Sequence, residues 1–227
     1  MEPPMSTIGF AIHTHQHTVS DALLNKFAKF AVANVSDAMS RTNGTTDIRP
    51  FHKGGRLLGR AFTVKTAAGD NLMVHKALEM AAPGDVIVVD AGGVQRNAII
   101  GEIMSTFAAK RKLAGIVIDG PIRDVESIGK STFPVFARGI SHRGPYKEGP
   151  GEINVAVSID GMVVHPGDIV IGDPDGLLAI RPQDAAQLIK LVLAIEKQEK
   201  QVLADIARGK FDRPWLDQVL RAKGVIQ

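Results

Sequence analysis

Two apolar runs and the segment between them decide the fold: Pro83-Gly84-Asp85-Val86-Ile87-Val88-Val89-Asp90, then Gly101 to Lys112, then Gly115-Ile116-Val117-Ile118-Asp119. Each run is short, starts beside glycine and lacks the alternating polar positions of a half-exposed strand. Both therefore read as strands buried on two faces. In the intervening segment Ile103, Met104, Phe107 and Ala108 recur at helical spacing, and Lys110, Arg111 and Lys112 fill the last turn, where cations suit the helix dipole. Strand, helix, strand in this order predicts a layered α/β domain.

Working outward, Leu57 to Thr66 reads as a strand and Asn71 to Met80 as a helix. Upstream, Leu23, Leu24, Phe27, Phe30 and Ala31 predict a helix starting near Ser20, a second short helix begins at Val35, and Arg41 to Gly55 is a polar loop. The stretch through Gln16 shows little periodicity. Downstream of Pro134 short strands take over: Pro134 to Ala137, Ile153 to Ile159, Met162 to Val164 and Asp168 to Ile171, with Asp160-Gly161 as a hairpin signal. Gln183 to Arg208 is a long helix whose apolar Ala186, Ile189, Leu193, Val202 and Ile206 oppose Lys190, Glu196, Lys197, Glu199 and Lys200. Such a helix packs on a neighbouring subunit or lies solvated. The expected organisation is an N-terminal segment 1–19, a core 20–182 and a C-terminal helical extension 183–227, forming one domain overall.

Composition bounds the chemistry. Of 227 residues 44% are hydrophobic, and 27 Lys and Arg against 24 Asp and Glu give a net charge of +3, too balanced and too poor in aromatics for a dedicated nucleic-acid binder. There is no cysteine, so a disulfide framework, a thiolate nucleophile and a cysteine-held metal are excluded, and any metal must be bound through oxygen or imidazole. No apolar run approaches membrane-spanning length, and Met1 to Gly9 lacks the basic start of a secretory signal, which predicts a cytoplasmic protein with no membrane partner.

The most informative stretch for function is Asp119-Gly120-Pro121-Ile122-Arg123-Asp124, at the end of a buried strand. Ligand sites of α/β sheets gather at such strand ends. Arg123 can clamp a carboxylate or keto acid, and Asp124 can bind a hard cation, although strand-end Arg and Asp residues also pair or cap helices. Gly92-Gly93, followed by Gly101-Glu102-Ile103-Met104 at a helix start, offers backbone N–H groups to an anion, with Glu102 within reach of a metal; alone, glycine before a helix more often marks a turn. Other motifs fail. Gly129-Lys130-Ser131 echoes a phosphate-binding loop, but that motif needs glycine where this chain has Asp124. His13, His15 and His17 alternate as strand-borne metal ligands would, without an acidic partner in the pattern, and His142 has no partner at fixed spacing.

In order along the chain, Gly59-Arg60-Ala61-Phe62-Thr63-Val64, Pro83 through Gly93, Gly101-Glu102, Gly115 through Asp124, Pro134 through Gly139 and Pro166-Gly167-Asp168 through Asp175-Gly176 resemble the metal-dependent 4-hydroxy-4-methyl-2-oxoglutarate / 4-carboxy-4-hydroxy-2-oxoadipate aldolases and the related regulator of RNase E activity A proteins. The resemblance spans about Val35 to Gly209. It implies a compact α/β/β/α sandwich of the swivelling phosphohistidine-domain type, assembled as trimers or dimers of trimers with sites between subunits. It further implies that Arg123 binds a pyruvate moiety and Asp124 a Mg²⁺ or Mn²⁺ ion, with Gly101, Glu102, Ile103 and Met104 as the anion cradle. Glu102 would join the metal's water shell, completed by a glutamate from an adjacent subunit's C-terminal helix, for which Glu199 is the match and Glu196 the alternative.

Regulator-type relatives lack part of this acidic set, whereas Glu102, Asp124 and a helical Glu are present here. The function expected is a class II pyruvate aldolase with oxaloacetate decarboxylase activity, acting on a 2-keto acid. The alternatives are a non-catalytic binding protein that modulates an RNA-degrading enzyme and a diverged enzyme acting on another 2-keto acid. The chain departs from the family pattern at its three N-terminal histidines and at Ile140-Ser141-His142-Arg143.

Overall fold

The computed structural model describes residues 8–15, 18–210 and 212–227. In chain order the elements are β1 (Phe10–Ile12), α1 (Asp21–Leu24), α2 (Val32–Ala38), β2 (Arg49–Pro50), β3 (Leu57–Thr66), α3 (Leu72–Met80), β4 (Asp85–Asp90), α4 (Glu102–Lys110), β5 (Gly115–Ile122) and α5 (Val125–Ile128). They continue with β6 (Val135–Ile140), β7 (Gly151–Ile153), β8 (Val157–Ile159), β9 (Met162–Val164), β10 (Ile169–Asp173), β11 (Gly176–Ile180), α6 (Ala185–Ala207) and α7 (Pro214–Ala222). The result is a mixed α/β fold, as the alternation of elements predicts.

Among the described residues nine strands form one sheet. Its main path runs β1-β7-β3-β4-β5-β6-β2, with β10 and β11 branching from β3. Strands β3, β4, β5 and β6 are mutually parallel, and their apolar runs make sense because both faces are covered. Alternate residues serve different cores. Leu57, Ala61, Val86, Val88 and Val117 pack with α2, β8 to β11 and the start of α6, whereas Phe62, Val64, Ile87, Val89, Ile116 and Ile118 pack with α3 and α4. The ten-residue β3 is the organiser. One of its edges pairs with β4 over Arg60 to Lys65; the other is shared, with β10 opposite Leu57 to Arg60 and β7 opposite Val64 to Thr66.

Several boundaries differ from expectation for identifiable reasons. The helix predicted from Ser20 to Ala31 is one turn, α1, capped by the Ser20 hydroxyl and followed by a tight 3-10 turn over Asn25–Phe27; the second helix begins at Val32, three residues early. Phe27 and Phe30, whose spacing suggested a longer helix, are both buried and meet edge to face at 5.9 Å. The strand expected over Ile153 to Ile159 is broken into β7 and β8, with Asn154 in the left-handed region at φ 58° and its amide donating to the His13 carbonyl. Three further strands were not predicted: β2 within the polar loop, β1, which pairs in parallel with β7, and β11, which pairs antiparallel with β10.

The Asp160-Gly161 hairpin forms as predicted, joining β8 to β9 with both residues at positive φ, 53° and 84°. Helix α6 covers the long C-terminal segment and is followed by α7, which contributes no buried residue. No helix among the described residues is long and apolar enough to cross a membrane.

Candidate active site

The end of β5 and the start of α4 are held side by side by backbone bonds. Ile100 bridges Ile122, the Ile99 N–H donates to the Pro121 carbonyl at 2.9 Å, and the Arg123 N–H donates to the Ile100 carbonyl at 3.0 Å. Gly101 is thereby placed against Arg123 and Asp124. Asp124 stands in the left-handed region at φ 57°, ψ 36°, where Asp and Asn are tolerated better than most residues. This twist turns its carboxylate back onto α4: Oδ2 accepts from the Glu102 N–H at 3.0 Å and lies 3.6 Å from Arg123 Nε. A carboxylate at a helix start satisfies an orphan donor and suits the dipole. Asp124 Oδ1 has no hydrogen-bond or ion-pair partner among the described residues.

Gly101 is required by space rather than by φ. A β-carbon there would overlap Asp124 Oδ2 and lie 3.0 Å from Arg123 Cγ and 3.2 Å from Arg123 Nε. Gly101→Ala is therefore expected to push both functional side chains out of place and lower turnover about ten- to a hundredfold, with the fold intact. Circular dichroism beside a steady-state assay checks this, and a variant with full activity would show that the close approach is dispensable.

The predicted residues fall into two groups. Gly101, Ile103, Met104, Arg123 and Asp124 line one cleft, whereas the Glu102 side chain opens onto the adjoining groove with Ser105, Lys110 and Ser127. Glu199, expected from an adjacent subunit, accepts here from Asn34 of the same chain at 2.7 Å, and Glu196, one turn earlier, lines a separate groove with Lys197 and Lys200. His13 and His15 sit elsewhere, His13 on β7 through its N–H to the Ile153 carbonyl and His15 against Gly167, while His17 lies outside the described residues. Lys130 pairs with Glu126 at 2.7 Å. Among the described residues no three His, Asp or Glu side chains are clustered to enclose a metal.

Other residues had no signal. Asn71, His75 and Lys147 line the Arg123 cleft from α3 and the segment after β6. Outside the cleft, Arg138 ties Asp119, Asp160 and Asp47 together at 2.6, 2.7 and 3.1 Å. The hairpin closes this hub, since the Asp160 N–H donates to Asp119 and the Thr46 and Asp47 N–H groups donate to Asp160. The Asp119 bond and carboxylate surroundings hold the Arg138 guanidinium above its ordinary pKa. Burial would raise the Asp160 carboxyl, but the Asp47 and Thr46 N–H groups and Arg138 outweigh it and hold it well below the usual range. Asp119 opens the strand-end stretch singled out in the sequence, whereas Arg138 had drawn notice only as part of the family-like segment Pro134 to Gly139.

Residues 32–179 match the RraA-like family, described as Aldolase/RraA. A Halalkalibacterium halodurans protein named "Putative 4-hydroxy-4-methyl-2-oxoglutarate aldolase" is 37% identical over 186 residues, covering 80% of this chain and 89% of the relative. A Thermus thermophilus protein named 4-hydroxy-4-methyl-2-oxoglutarate aldolase is 32% identical over 152 residues, covering 62% and 92% respectively. Among solved structures, one described as the RNA-processing inhibitor RraA from Thermus superposes with a TM-score of 0.61 at 30% identity, covering 66% of this chain and 92% of that one.

Proposed function

Because this chain belongs to the Aldolase/RraA family of RraA-like proteins, we propose that it is a divalent-metal-dependent pyruvate aldolase, cleaving 4-hydroxy-4-methyl-2-oxoglutarate or 4-carboxy-4-hydroxy-2-oxoadipate and decarboxylating oxaloacetate. The observation that carries this reading is the pairing of Arg123 and Asp124 over a glycine that leaves no room for a side chain, at the open start of a helix. One planar cation, one carboxylate with an unengaged oxygen and a set of helix N–H groups converge on one cleft. The aldolase names of the relatives agree with it. On the same grounds the chain would form an α/β/β/α sandwich of the swivelling phosphohistidine-domain type, assembled in trimers or dimers of trimers.

The donor set suits Mg²⁺ or Mn²⁺. Asp124 Oδ1 is available, Glu102 stands one residue past Gly101, and one chain supplies too few donors for a closed cage, which fits a hard cation that keeps several waters. When bound, such an ion supplies Lewis-acid polarisation of the 2-keto group. In the aldol cleavage a water would take the C4 hydroxyl proton so that C4 becomes a carbonyl, the electron pair of the broken C3–C4 bond moves negative charge onto the former keto oxygen, and protonation of that enolate at C3 gives pyruvate. Arg123 would stabilise that enolate more than the ground state, and the α4 N–H groups would hold the C1 carboxylate. Loss of carbon dioxide from oxaloacetate generates the same enolate, so one arrangement serves both reactions.

Purified protein with Mg²⁺ is expected to release pyruvate from oxaloacetate and from a branched 4-hydroxy-2-oxo diacid, and EDTA should abolish both. Turnover that survives EDTA overturns the metal requirement. The likeness to an RNA-processing inhibitor supports a second reading, a non-catalytic partner of an RNA-degrading enzyme. Capture of such an enzyme by protein inert toward both substrates would favour it.

A further inference from the structure

We propose that Lys147 and His75 form a second anion subsite in the Arg123–Asp124 cleft, one that binds the distal carboxylate of a 2-keto diacid. The proposal rests on the reading that Arg123 and Asp124 hold the keto-acid end. Its basis is that the cleft is lined at once by Arg123 and Asp124 and by Asn71, His75 and Lys147.

The position of Lys147 is built rather than incidental. Asp70, 3% exposed, fastens its segment to the start of α3: Oδ1 accepts from the Leu72 N–H at 2.8 Å, and Oδ2 accepts from the Glu148 and Gly149 N–H groups at 2.7 and 3.0 Å. Tyr146 adds two backbone bonds, donating to the Gly69 carbonyl at 2.9 Å and accepting from the Asn71 N–H at 3.0 Å. Lys147 is flanked on both sides by these anchors. At the other end of the segment, a β-carbon on Gly144 would lie 3.1 Å from Arg123 Nη1. Three residues of chain, at most about 11 Å, therefore separate the guanidinium's neighbour from Lys147.

Asn71 and His75 are four residues apart and present one face of the α3 start to the cleft. Lys147 has no ion-pair partner, and the His75 ring no hydrogen bond, among the described residues. Burial and the neighbouring Lys147 lower the His75 pKa against a smaller opposing effect of Glu79. A bound carboxylate between them would offset that repulsion. Asn71 is 2% exposed; its Nδ2 donates to the Ile99 carbonyl at 2.8 Å, and its Oδ1 has no donor. An acceptor without a donor, bordering a cleft that holds two nitrogen bases, matches a substrate whose carbon 4 carries both a hydroxyl and a carboxylate.

The test is a calorimetric comparison in Mg²⁺ of pyruvate, which has only the keto-acid end, with 2-oxoglutarate, which adds a distal carboxylate. Lys147→Met should weaken 2-oxoglutarate about ten- to a hundredfold and leave pyruvate unchanged. Lys147→Arg should retain most of the affinity, and His75→Gln should show the same selectivity at smaller size. Wild-type protein that binds both ligands, with Lys147→Met weakening both equally or neither, overturns the subsite alone. Wild-type protein that binds neither overturns the keto-acid reading and the subsite with it.

Discussion

Asp124→Asn is expected to lower turnover of oxaloacetate and of the hydroxy diacid about a thousandfold, with little change in melting temperature. Asparagine tolerates the left-handed backbone that Asp124 adopts at φ 57°, and its side-chain oxygen can still accept the Glu102 N–H. Only the negative charge and its use toward a cation are removed. Asp124→Ala should be as inactive and, in addition, less stable by about 2 kcal/mol, since it loses both the cap and the tolerance for positive φ. Comparing the two by thermal melting and steady-state kinetics separates chemistry from scaffold. An active Asp124→Asn variant would refute the assignment of this carboxylate to metal binding.

Arg138→Met is expected to be the most damaging change to stability, about 3 kcal/mol. The guanidinium is 15% exposed, and removing it strands Asp119 and Asp160, whose side chains are 7% and 10% exposed. Part of the loss is offset by the N–H donors that each carboxylate keeps. The pH dependence has a definite sign. Asp160 is held below the ordinary carboxyl pKa in the folded protein, so its contribution is complete above about pH 4, where the unfolded group titrates, and is lost as pH falls below that. Urea melts between pH 7 and pH 3 should show wild-type stability dropping into the acid range and the Arg138→Met variant losing less over the same interval. Equal acid sensitivity in both would contradict this account of the hub.

The parts of the fold and site that could be read in advance are local in sequence. Val86 to Val89 and Ile116 to Ile118 announce buried strands because burial on two faces leaves no polar alternation, and Asp160-Gly161 announces its hairpin because few pairs adopt two positive φ angles. Arg123, Asp124 and Gly101 could be proposed because strand ends and helix starts are where ligands bind. What could not be read is long-range. The Arg138 hub joins partners 19, 22 and 91 positions away, and the Lys147 segment is held at the cleft by Gly69, Asp70 and Asn71, more than 70 positions earlier in the chain. The left-handed conformation of Asp124 leaves no periodic trace. Likewise β1 is recognisable only as the neighbour of β7, which follows it by some 140 residues.

The shared edge of β3 also bears on how the chain is made. Its partners on that edge, β7 and β10, leave the ribosome only after residues 151 and 169, about a hundred positions later. Until then the longest apolar strand of the nascent chain has one side unpaired, which is the circumstance in which strands associate with the wrong neighbour. Stalled or truncated products ending before Gly151 would expose that edge, making the second half of the polypeptide a guard for the first as well as the source of part of its cleft.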